Sequence, residues 1–209
     1  MASQPGSGAI KLIAFHGSPR RSGNSSRLLE RAVAGARQGG AAVAEIFLRD
    51  HALSPCLEDY GCRETGRCTI EDDFQSFFEL LEGCDGVLLS SPLFFGTVSA
   101  QVKILIDRCQ CFWVGKYRLG KGAGASGKRR LGLFICTAAR PQRPDLFEGA
   151  QRTVRYFFDA LDVRLWQSLL HSGLEEPDDV LAHPEWLEEA FALGEALVAA
   201  LRAEIRPHF

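Results

Sequence analysis

The sequence has no long hydrophobic run and no excess of charge of one sign. Its apolar runs reach only the length of a β-strand, so no segment is expected to span a bilayer. The formal net charge over 209 residues is −2, which provides no strong field to attract nucleic acid or a membrane surface. The first residues, MASQPGSG, have no basic region followed by an apolar stretch, so no secretory signal is predicted.

Several motifs of well-known chemistry are also missing. No G-x-G-x-x-G follows a predicted strand, and there is no G-x-x-x-x-G-K-[ST] loop. The five histidines show neither metal-ligand spacing nor a Ser/His/Asp constellation, and His16 is interpreted as a packed histidine. The seven cysteines are an odd number, which favours a reducing cytoplasm over a disulfide framework.

The chain does contain an alternation of strand and helix patterns. Continuous apolar runs predict buried strands, and apolar residues at helical spacing follow each of them. This alternation predicts an α/β fold in three layers, a doubly wound parallel sheet of five strands in the order 2-1-3-4-5. We expect residues 10–209 to form one domain and residues 1–9 a disordered tail. The predicted strands are Ile10–Phe15, Val43–Leu48, Gly86–Ser90, Leu131–Thr137 and Val163–Gln167.

The turn after the first predicted strand is rich in hydrogen-bond donors. Residues 16–26 read HGSPRRSGNSS and lead directly into a helical pattern. A helix start offers unpaired backbone N–H groups and the positive end of the helix dipole, so these donors suit a phosphate group. Serine and asparagine are also ordinary helix caps, and this turn alone does not separate the two interpretations.

A second polar turn follows the third predicted strand. Residues 86–98 read GVLLSSPLFFGTV, in which Pro92 and Gly96 predict a tight loop beside the first strand. Phe94 or Phe95 is placed to lie against the face of a planar ligand. The other interpretation is a packing turn, and we expect one of the two phenylalanines to be buried.

These motifs, in their order and spacing, resemble the NAD(P)H-dependent FMN reductase family, and they lie nearest its iron–sulfur flavoprotein branch. The resemblance runs from about Ile10 to about Thr137 and implies a flavodoxin-like fold that binds FMN. It implies that six residues hold the phosphate: Ser18, Arg20, Ser22, Asn24, Ser25 and Ser26. It implies that the flavin ring is framed by Pro92, Leu93, Phe94, Phe95 and Gly96, and closed on its other side by the turn from Thr137 to Arg140.

The stretch PCLEDYGCRETGRC carries a further part of this resemblance. The iron–sulfur flavoproteins have a compact set of four cysteines here, whereas this chain keeps Cys56, Cys62 and Cys68 and has Asp59 in place of the other. A cluster normally takes four thiolates, and carboxylate is a harder ligand. Zinc is possible in principle with such a donor set. We favour a surface loop with inherited thiols and expect no bound metal.

Three classes of function follow from these patterns. The first is an oxidoreductase that passes hydride from NAD(P)H through FMN to a quinone, flavin or other aromatic small molecule, with no catalytic side chain needed. The second is an electron-transfer flavoprotein without NAD(P)H turnover, and the third is a binding module that has kept only the fold.

The resemblance also implies a homodimer or homotetramer. The basic loop 114–130 is a candidate contact for a 2′-phosphate, and Trp113 is a candidate interface residue.

Overall fold

The computed structural model describes residues 9–122 and 129–205, and within them five parallel strands form one sheet. The strands are β1 (Lys11–His16), β2 (Ala42–Phe47), β3 (Gly86–Pro92), β4 (Arg130–Ala138) and β5 (Val163–Ser172). Their order is β2-β1-β3-β4-β5, which confirms the predicted topology. Almost all of the predicted tail, residues 1–9, lies outside the described residues.

Helices cover both faces of the sheet. They are α1 (Asn24–Gln38), α2 (Phe74–Gly83), α3 (Ala100–Arg108), α4 (Gln110–Tyr117), α5 (Glu148–Ala160) and α6 (Pro184–Ile205). Strand β1 shows why its sequence is continuously apolar: Leu12 and Ala14 enter the core under α1 and α6, while Ile13 and Phe15 enter the core under α2–α5. Within the described segments, no helix combines the length and the apolar composition needed to cross a bilayer.

Two elements differ from their predicted extents. Strand β5 continues to Ser172 rather than ending at Gln167. The helical pattern from Val98 onward forms two helices, because the chain leaves helical geometry at Cys109, whose ψ is 4°. Helix α4 then takes up the first residues of the segment that was predicted as a loop from residue 114.

Helices α1 and α6 approach each other closely at two glycines. A β-carbon built on Gly35 would lie 2.0 Å from the carbonyl oxygen of Phe191. One built on Gly194 would lie 1.9 Å from the carbonyl oxygen of Ala32. The two backbones therefore pack at a distance that no larger residue permits.

The close contact between α1 and α6 predicts that a single methyl group added at Gly35 destabilises the protein. We expect Gly35→Ala to lower the free energy of unfolding by about 1–3 kcal/mol, as overpacked cores do. Gly83→Ala is the matched control, because Gly83 is exposed, lies at the end of α2 and has nothing within 4 Å of an added β-carbon. Urea unfolding followed by circular dichroism measures both variants. Equal stability of the two would contradict the close approach.

Candidate functional site

The carboxyl ends of β1 and β3 lie side by side at the topological switch point, where the order in which the strands are added to the sheet reverses. His16 pairs with Ser90, and the N–H of Gly17 donates to the Ser90 carbonyl oxygen at 2.9 Å. A β-carbon on Gly17 would lie 2.4 Å from that oxygen, so this approach requires glycine. Ligands of open α/β sheets bind at such an edge.

Ser99 joins the turn after β1 to the loop after β3. Its hydroxyl donates to the carbonyl of Gly17 at 2.6 Å, and its N–H donates to the hydroxyl of Ser91 at 2.9 Å. The same hydroxyl accepts the N–H of Val102 at 3.3 Å and thereby caps α3. Because Ser91 and Ser99 are fully buried, the two loops are held as one rigid unit.

The start of α1 has the character of an anion site. Its first turn contains no acidic residue and no side-chain cap. Ser25 and Ser26 are buried there, and the Ser25 hydroxyl has no hydrogen-bond partner among the described residues. A buried hydroxyl without a partner is unusual and signals a missing ligand or water. Together with the free N–H groups of the helix start, it forms a cradle for a negative group.

The other residues of this turn divide into inner and outer positions. Ser18 is buried, and its hydroxyl accepts the N–H of Arg20 at 3.1 Å. Ser26 donates to the Arg20 carbonyl at 3.5 Å. The side chains of Arg20 and Ser22 are exposed at the outer edge of the turn. The structure therefore brings Ser18, Ser25 and Ser26 together on the inside.

Asn24 has a structural role that the sequence did not reveal. Its amide nitrogen donates to the Glu176 carbonyl at 2.9 Å, and its amide oxygen accepts the N–H of Val180 at 3.1 Å. Both ends of the side chain are therefore engaged with the segment after β5. These partners lie more than 150 residues away along the chain, so no local pattern could identify them.

The loop after β3 is a tight hairpin. Phe94 and Thr97 exchange two backbone hydrogen bonds of 2.9 and 3.0 Å, and Phe95 and Gly96 between them have φ values of +49° and +79°. Two positive φ values are the geometry of a type I′ turn. The expectation that one phenylalanine is buried is wrong: Phe94 is 45% exposed and Phe95 is fully exposed. The turn directs both rings away from the core.

Helix α5 supports this hairpin from behind. A β-carbon on Gly149 would lie 2.4 Å from the carbonyl oxygen of Gly96, so the helix backbone contacts the turn directly. The hydroxyls of Thr97 and Thr153 lie 3.2 Å apart and form a second contact. The exposed phenylalanines are thus carried by a rigid support rather than by a free loop.

Thr137 closes the edge at the end of β4. It is buried, and its carbonyl accepts the N–H of Leu93 at 2.7 Å. This bond fixes the start of the hairpin to the neighbouring strand. The chain then turns outward, and the side chain of Arg140 is exposed beside this edge.

His16 is packed rather than catalytic. Its ring stacks on Phe47 at a centroid distance of 4.0 Å, and its Nε2 lies 3.2 Å from a carboxylate oxygen of Glu45. Burial lowers the pKa of His16, although its hydrogen bond to the Glu45 carboxylate acts in the opposite direction. The imidazole is therefore neutral at neutral pH and holds β1 against β2.

A separate cavity of about 610 Å³ lies under the cysteine loop. Its walls come from residues 56–70, from the helical segment 106–118 and from the end of α5. The turn after β1, residues 16–26, and the Pro92–Gly96 loop do not contribute to its walls. Its lining includes Cys56, Asp59, Cys62 and Cys68 of the cysteine loop, as well as Cys109 and Cys111 of the helical segment. The structure thus places the cysteine loop around a space of its own.

Arg108 anchors the cysteine loop. The side chain is fully buried and forms a salt bridge of 2.6 Å with Asp72. It also donates to the carbonyl of Ser54 at 2.9 Å and to the thiol sulfur of Cys68 at 3.3 Å. Since these partners lie at both ends of the loop, one guanidinium closes it. Burial alone would raise the pKa of Asp72, but hydrogen bonds from Arg108 and from two backbone N–H groups lower it overall.

Cys109 and Cys111 are packing residues of the hydrophobic core. Both are 1% exposed, and Cys111 donates to the Arg108 carbonyl at 3.3 Å. Burial raises the pKa of Cys111 to about 12 and that of Cys109 well above its usual value. Both thiols therefore stay protonated at neutral pH, although each contributes to the wall of the cavity.

The segment from residue 114 is described only in part. Lys116 forms salt bridges of 3.0 Å with Asp159 and 3.1 Å with Asp162, so this cation is already paired. Residues 123–128, the centre of the predicted basic loop, lie outside the described residues. Trp113 is 40% exposed, and its ring centroid lies 5.4 Å from that of Tyr117.

The fold and this edge together define a flavodoxin-like protein whose first helix start is suited to an anion at the point where the strand order of the sheet reverses. An archaeal flavodoxin has the same fold, with a TM-score of 0.54 and 11% identity over 92% of this chain and 99% of the other. An NAD(P)H:quinone oxidoreductase from Methanothermobacter marburgensis superimposes with a TM-score of 0.64 and 17% identity, covering 91% of this chain and all of that one.

The sequence places the chain within a family. Residues 10–165 match the NADPH-dependent FMN reductase family, and the chain belongs to it. An iron–sulfur flavoprotein of Methanocaldococcus jannaschii is 38% identical over 125 residues, which are 59% of this chain and 65% of the relative. The matched segments span less than two thirds of the length of this and the next curated relatives.

The salt bridge between Arg108 and Asp72 predicts an acid-sensitive loop. We expect Asp72→Asn to lower the free energy of unfolding at pH 7 by about 3 kcal/mol, because it leaves a buried guanidinium without its counter-charge. The pKa of Asp72 is lower in the folded state than in the unfolded chain. The ionised carboxylate therefore stabilises the fold at pH values above its ordinary pKa, and this contribution is lost as the pH falls through the pKa of the folded state.

The measurement is urea unfolding at a series of pH values from neutral to about pH 3. The free energy of unfolding of Asp72→Asn should fall less steeply with decreasing pH than that of the parent. Asp73→Asn is the control, because Asp73 is exposed and its carboxylate contacts His51 and the Ala52 N–H at 3.0 Å each rather than a buried cation. Identical acid profiles for the parent and Asp72→Asn would show that this bridge does not hold the loop.

Proposed function

We propose that this protein is an FMN-dependent oxidoreductase that takes electrons from NAD(P)H and passes them to a quinone, a flavin or another aromatic small molecule. The observation that carries the proposal is the buried, unpaired Ser25 hydroxyl at the start of α1, beside a loop with two exposed phenylalanines. Membership of the NADPH-dependent FMN reductase family supports both the cofactor and the donor.

The residues present fit FMN. The phosphate would be held by Ser18, Ser25 and Ser26 on the inside of the turn, by the N–H groups of the helix start, and by Arg20 and Ser22 at its outer edge. The bound FMN would supply the redox chemistry. Asn24 would contribute its backbone N–H while its side chain holds the turn to the segment after β5.

The loop from Pro92 to Gly96 would position the ring system and its reaction partners. The hydrogen bond from Leu93 to Thr137 and the support from α5 keep the hairpin rigid. Exposed Phe94 and Phe95 offer apolar faces to planar molecules, which favours aromatic over aliphatic acceptors. Among the described residues, these side chains supply position and exclude water rather than transfer protons.

We also propose a homodimer or homotetramer in the cytoplasm. Exposed aromatic side chains around α4 and α5, including Trp113, Tyr117 and Tyr156, are the residue types that interfaces favour. All seven cysteines are free thiols, which is consistent with a reducing compartment.

The phosphate cradle predicts a specific loss of cofactor affinity. We expect Ser25→Ala to weaken FMN binding by about 1.5–3 kcal/mol, the value of a hydrogen bond to a charged group, without lowering the stability of the apoprotein. Asn24→Ala is the contrasting variant, because it removes two hydrogen bonds to the segment after β5 and should act mainly on stability. Fluorescence titration of the apoprotein with FMN and thermal unfolding separate the effects. Unchanged FMN affinity in Ser25→Ala would rule out the cradle.

The hairpin predicts how donor and acceptor share the site. If NAD(P)H and the acceptor use the same open face in turn, steady-state kinetics should be ping-pong, with parallel double-reciprocal lines. We expect Phe95→Ala to reduce kcat/KM for planar quinones about tenfold, which corresponds to ~1.4 kcal/mol of lost aromatic contact, and to change a small aliphatic acceptor little. Leu80→Ala, at an exposed leucine on α2, serves as the control. An equal decrease in kcat/KM with the planar and the aliphatic acceptor would show that Phe95 does not act by stacking on planar molecules.

A second candidate function is electron transfer by an iron–sulfur flavoprotein without NAD(P)H turnover. The Methanocaldococcus relative carries that name, and the cysteine loop of this chain surrounds a cavity separate from the FMN cradle. Anaerobic titration of the FMN-loaded protein with NADH and NADPH decides between the two. Rapid bleaching of the flavin absorbance supports the reductase, and its absence supports the electron carrier.

A further inference from the structure

We infer that the hydroxyl of Ser90, on β3, is a second buried donor to the phosphate of FMN and makes the site select FMN over riboflavin. This inference rests on the proposed function and adds a residue that lies outside the serine-rich turn. Ser90 is fully buried, and its hydroxyl has no hydrogen-bond partner among the described residues. A buried polar group without a partner destabilises a folded chain, so this hydroxyl requires an explanation.

The neighbouring serine on β3 shows what a structural hydroxyl does at this edge. Ser91 accepts the N–H of Ser99 at 2.9 Å and donates to the carbonyl of Pro92 at 2.8 Å. Ser90 is equally buried but has no such bond within the part of the chain that the structure describes. An alanine would fill this position without an unpaired polar group, so the hydroxyl of Ser90 suits a group that binds from outside.

The strand and the helix direct Ser90 and Ser25 into the same space. Side chains alternate along β3, so Ser90 lies on the same face as Leu88, in the core under α1 and α6. On α1, Ser25 lies one helical turn before Leu28 and Leu29. Both leucines pack with Leu88 in that core. Each serine therefore continues this packed layer toward the carboxyl edge of the sheet, where α1 begins.

The backbone of Ser90 is also joined to the turn after β1. Its carbonyl accepts the N–H of Gly17, the first residue of that turn after the strand, at 2.9 Å. The first turn of α1 contains no acidic residue that would repel an anion. A phosphate at this helix start would therefore meet the hydroxyl of Ser25 from the helix and that of Ser90 from the sheet.

His16 is the competing partner for Ser90, because the two residues pair across β1 and β3. The Nδ1 atom of His16 is buried and, like the hydroxyl of Ser90, has no partner among the described residues. The imidazole is held from its other side, since it stacks on Phe47 and its Nε2 lies 3.2 Å from a carboxylate oxygen of Glu45. Although the two residues are neighbours, no hydrogen bond joins them. The hydroxyl of Ser90 is therefore available to a bound phosphate.

A donor that serves only the phosphate has a measurable signature. FMN and riboflavin differ only in the phosphate, so loss of this donor should change the affinity for FMN and not that for riboflavin. A hydrogen bond to a charged group corresponds to about a tenfold to hundredfold change in Kd. Because Ser90 has no partner within the described protein, removal of its hydroxyl should not lower the stability of the apoprotein.

The test compares the parent with Ser90→Ala, Ser25→Ala and Ser91→Ala, each as the full chain. Fluorescence titration of the apoproteins with FMN and with riboflavin gives the two Kd values, and thermal unfolding gives Tm. We expect Ser90→Ala to raise the Kd for FMN about tenfold or more, and the Kd for riboflavin by less than about twofold. The Tm of its apoprotein should be equal to or higher than that of the parent, and the ³¹P resonance of bound FMN should shift.

Ser91→Ala is the matched control, because it removes the neighbouring buried hydroxyl on the same strand. That hydroxyl has two partners within the protein, Ser99 and Pro92. We therefore expect Ser91→Ala to lower the Tm of the apoprotein and to weaken the binding of FMN and riboflavin alike. The opposite signs of the two changes in Tm separate a ligand-binding serine from a structural one.

Two results would overturn this inference alone. If Ser90→Ala leaves the Kd for FMN and the ³¹P resonance unchanged while Ser25→Ala raises that Kd, Ser90 is not a phosphate donor and the proposed function stands. If Ser90→Ala lowers the Tm and weakens both flavins equally, Ser90 has the structural role of Ser91. A parent protein that binds no FMN would refute the proposed function as well.

Discussion

The hydrogen bond from the Ser99 hydroxyl to the carbonyl of Gly17 is the contact on which the proposed FMN site depends. Gly17 belongs to the turn that would hold the phosphate, and Ser99 follows the hairpin that would frame the ring. Through Ser91 and the cap on α3, the same residue fixes the hairpin to β3 and to a helix. Both halves of the site therefore keep one geometry, which is what a positioning site requires.

The cysteine loop depends on a different principle. Instead of strand ends, a single buried cation, Arg108, gathers Ser54, Cys68 and Asp72 from along the loop. An arginine without these partners would be strongly unfavourable in this position, so the loop and the helix end stabilise each other. A loop with little regular structure is thereby ordered around a cavity.

The two regions are built mainly from different elements of the fold. The proposed FMN cradle uses α1, β1 and β3, whereas the cavity uses the cysteine loop and the face formed by α3, α4 and α5. Helix α5 takes part in both, because its first residues support the hairpin and its last residues line the cavity.

The sequence alone determined the fold and indicated the edge of the sheet at which we propose the site. Continuous apolar strands alternating with amphipathic helices allow few topologies, and the serine-rich turn marked the helix start, because these signals are local. Only the tertiary structure decided the roles of individual side chains. Asn24 bonds to Glu176 and Val180, Arg108 closes the cysteine loop, and both Phe94 and Phe95 face outward. The bonds of Asn24 and Arg108 depend on partners that are distant in sequence, and the direction of the two phenylalanines depends on a backbone turn with positive φ. Burial and hydrogen bonding of these side chains are therefore set only when the chain has packed.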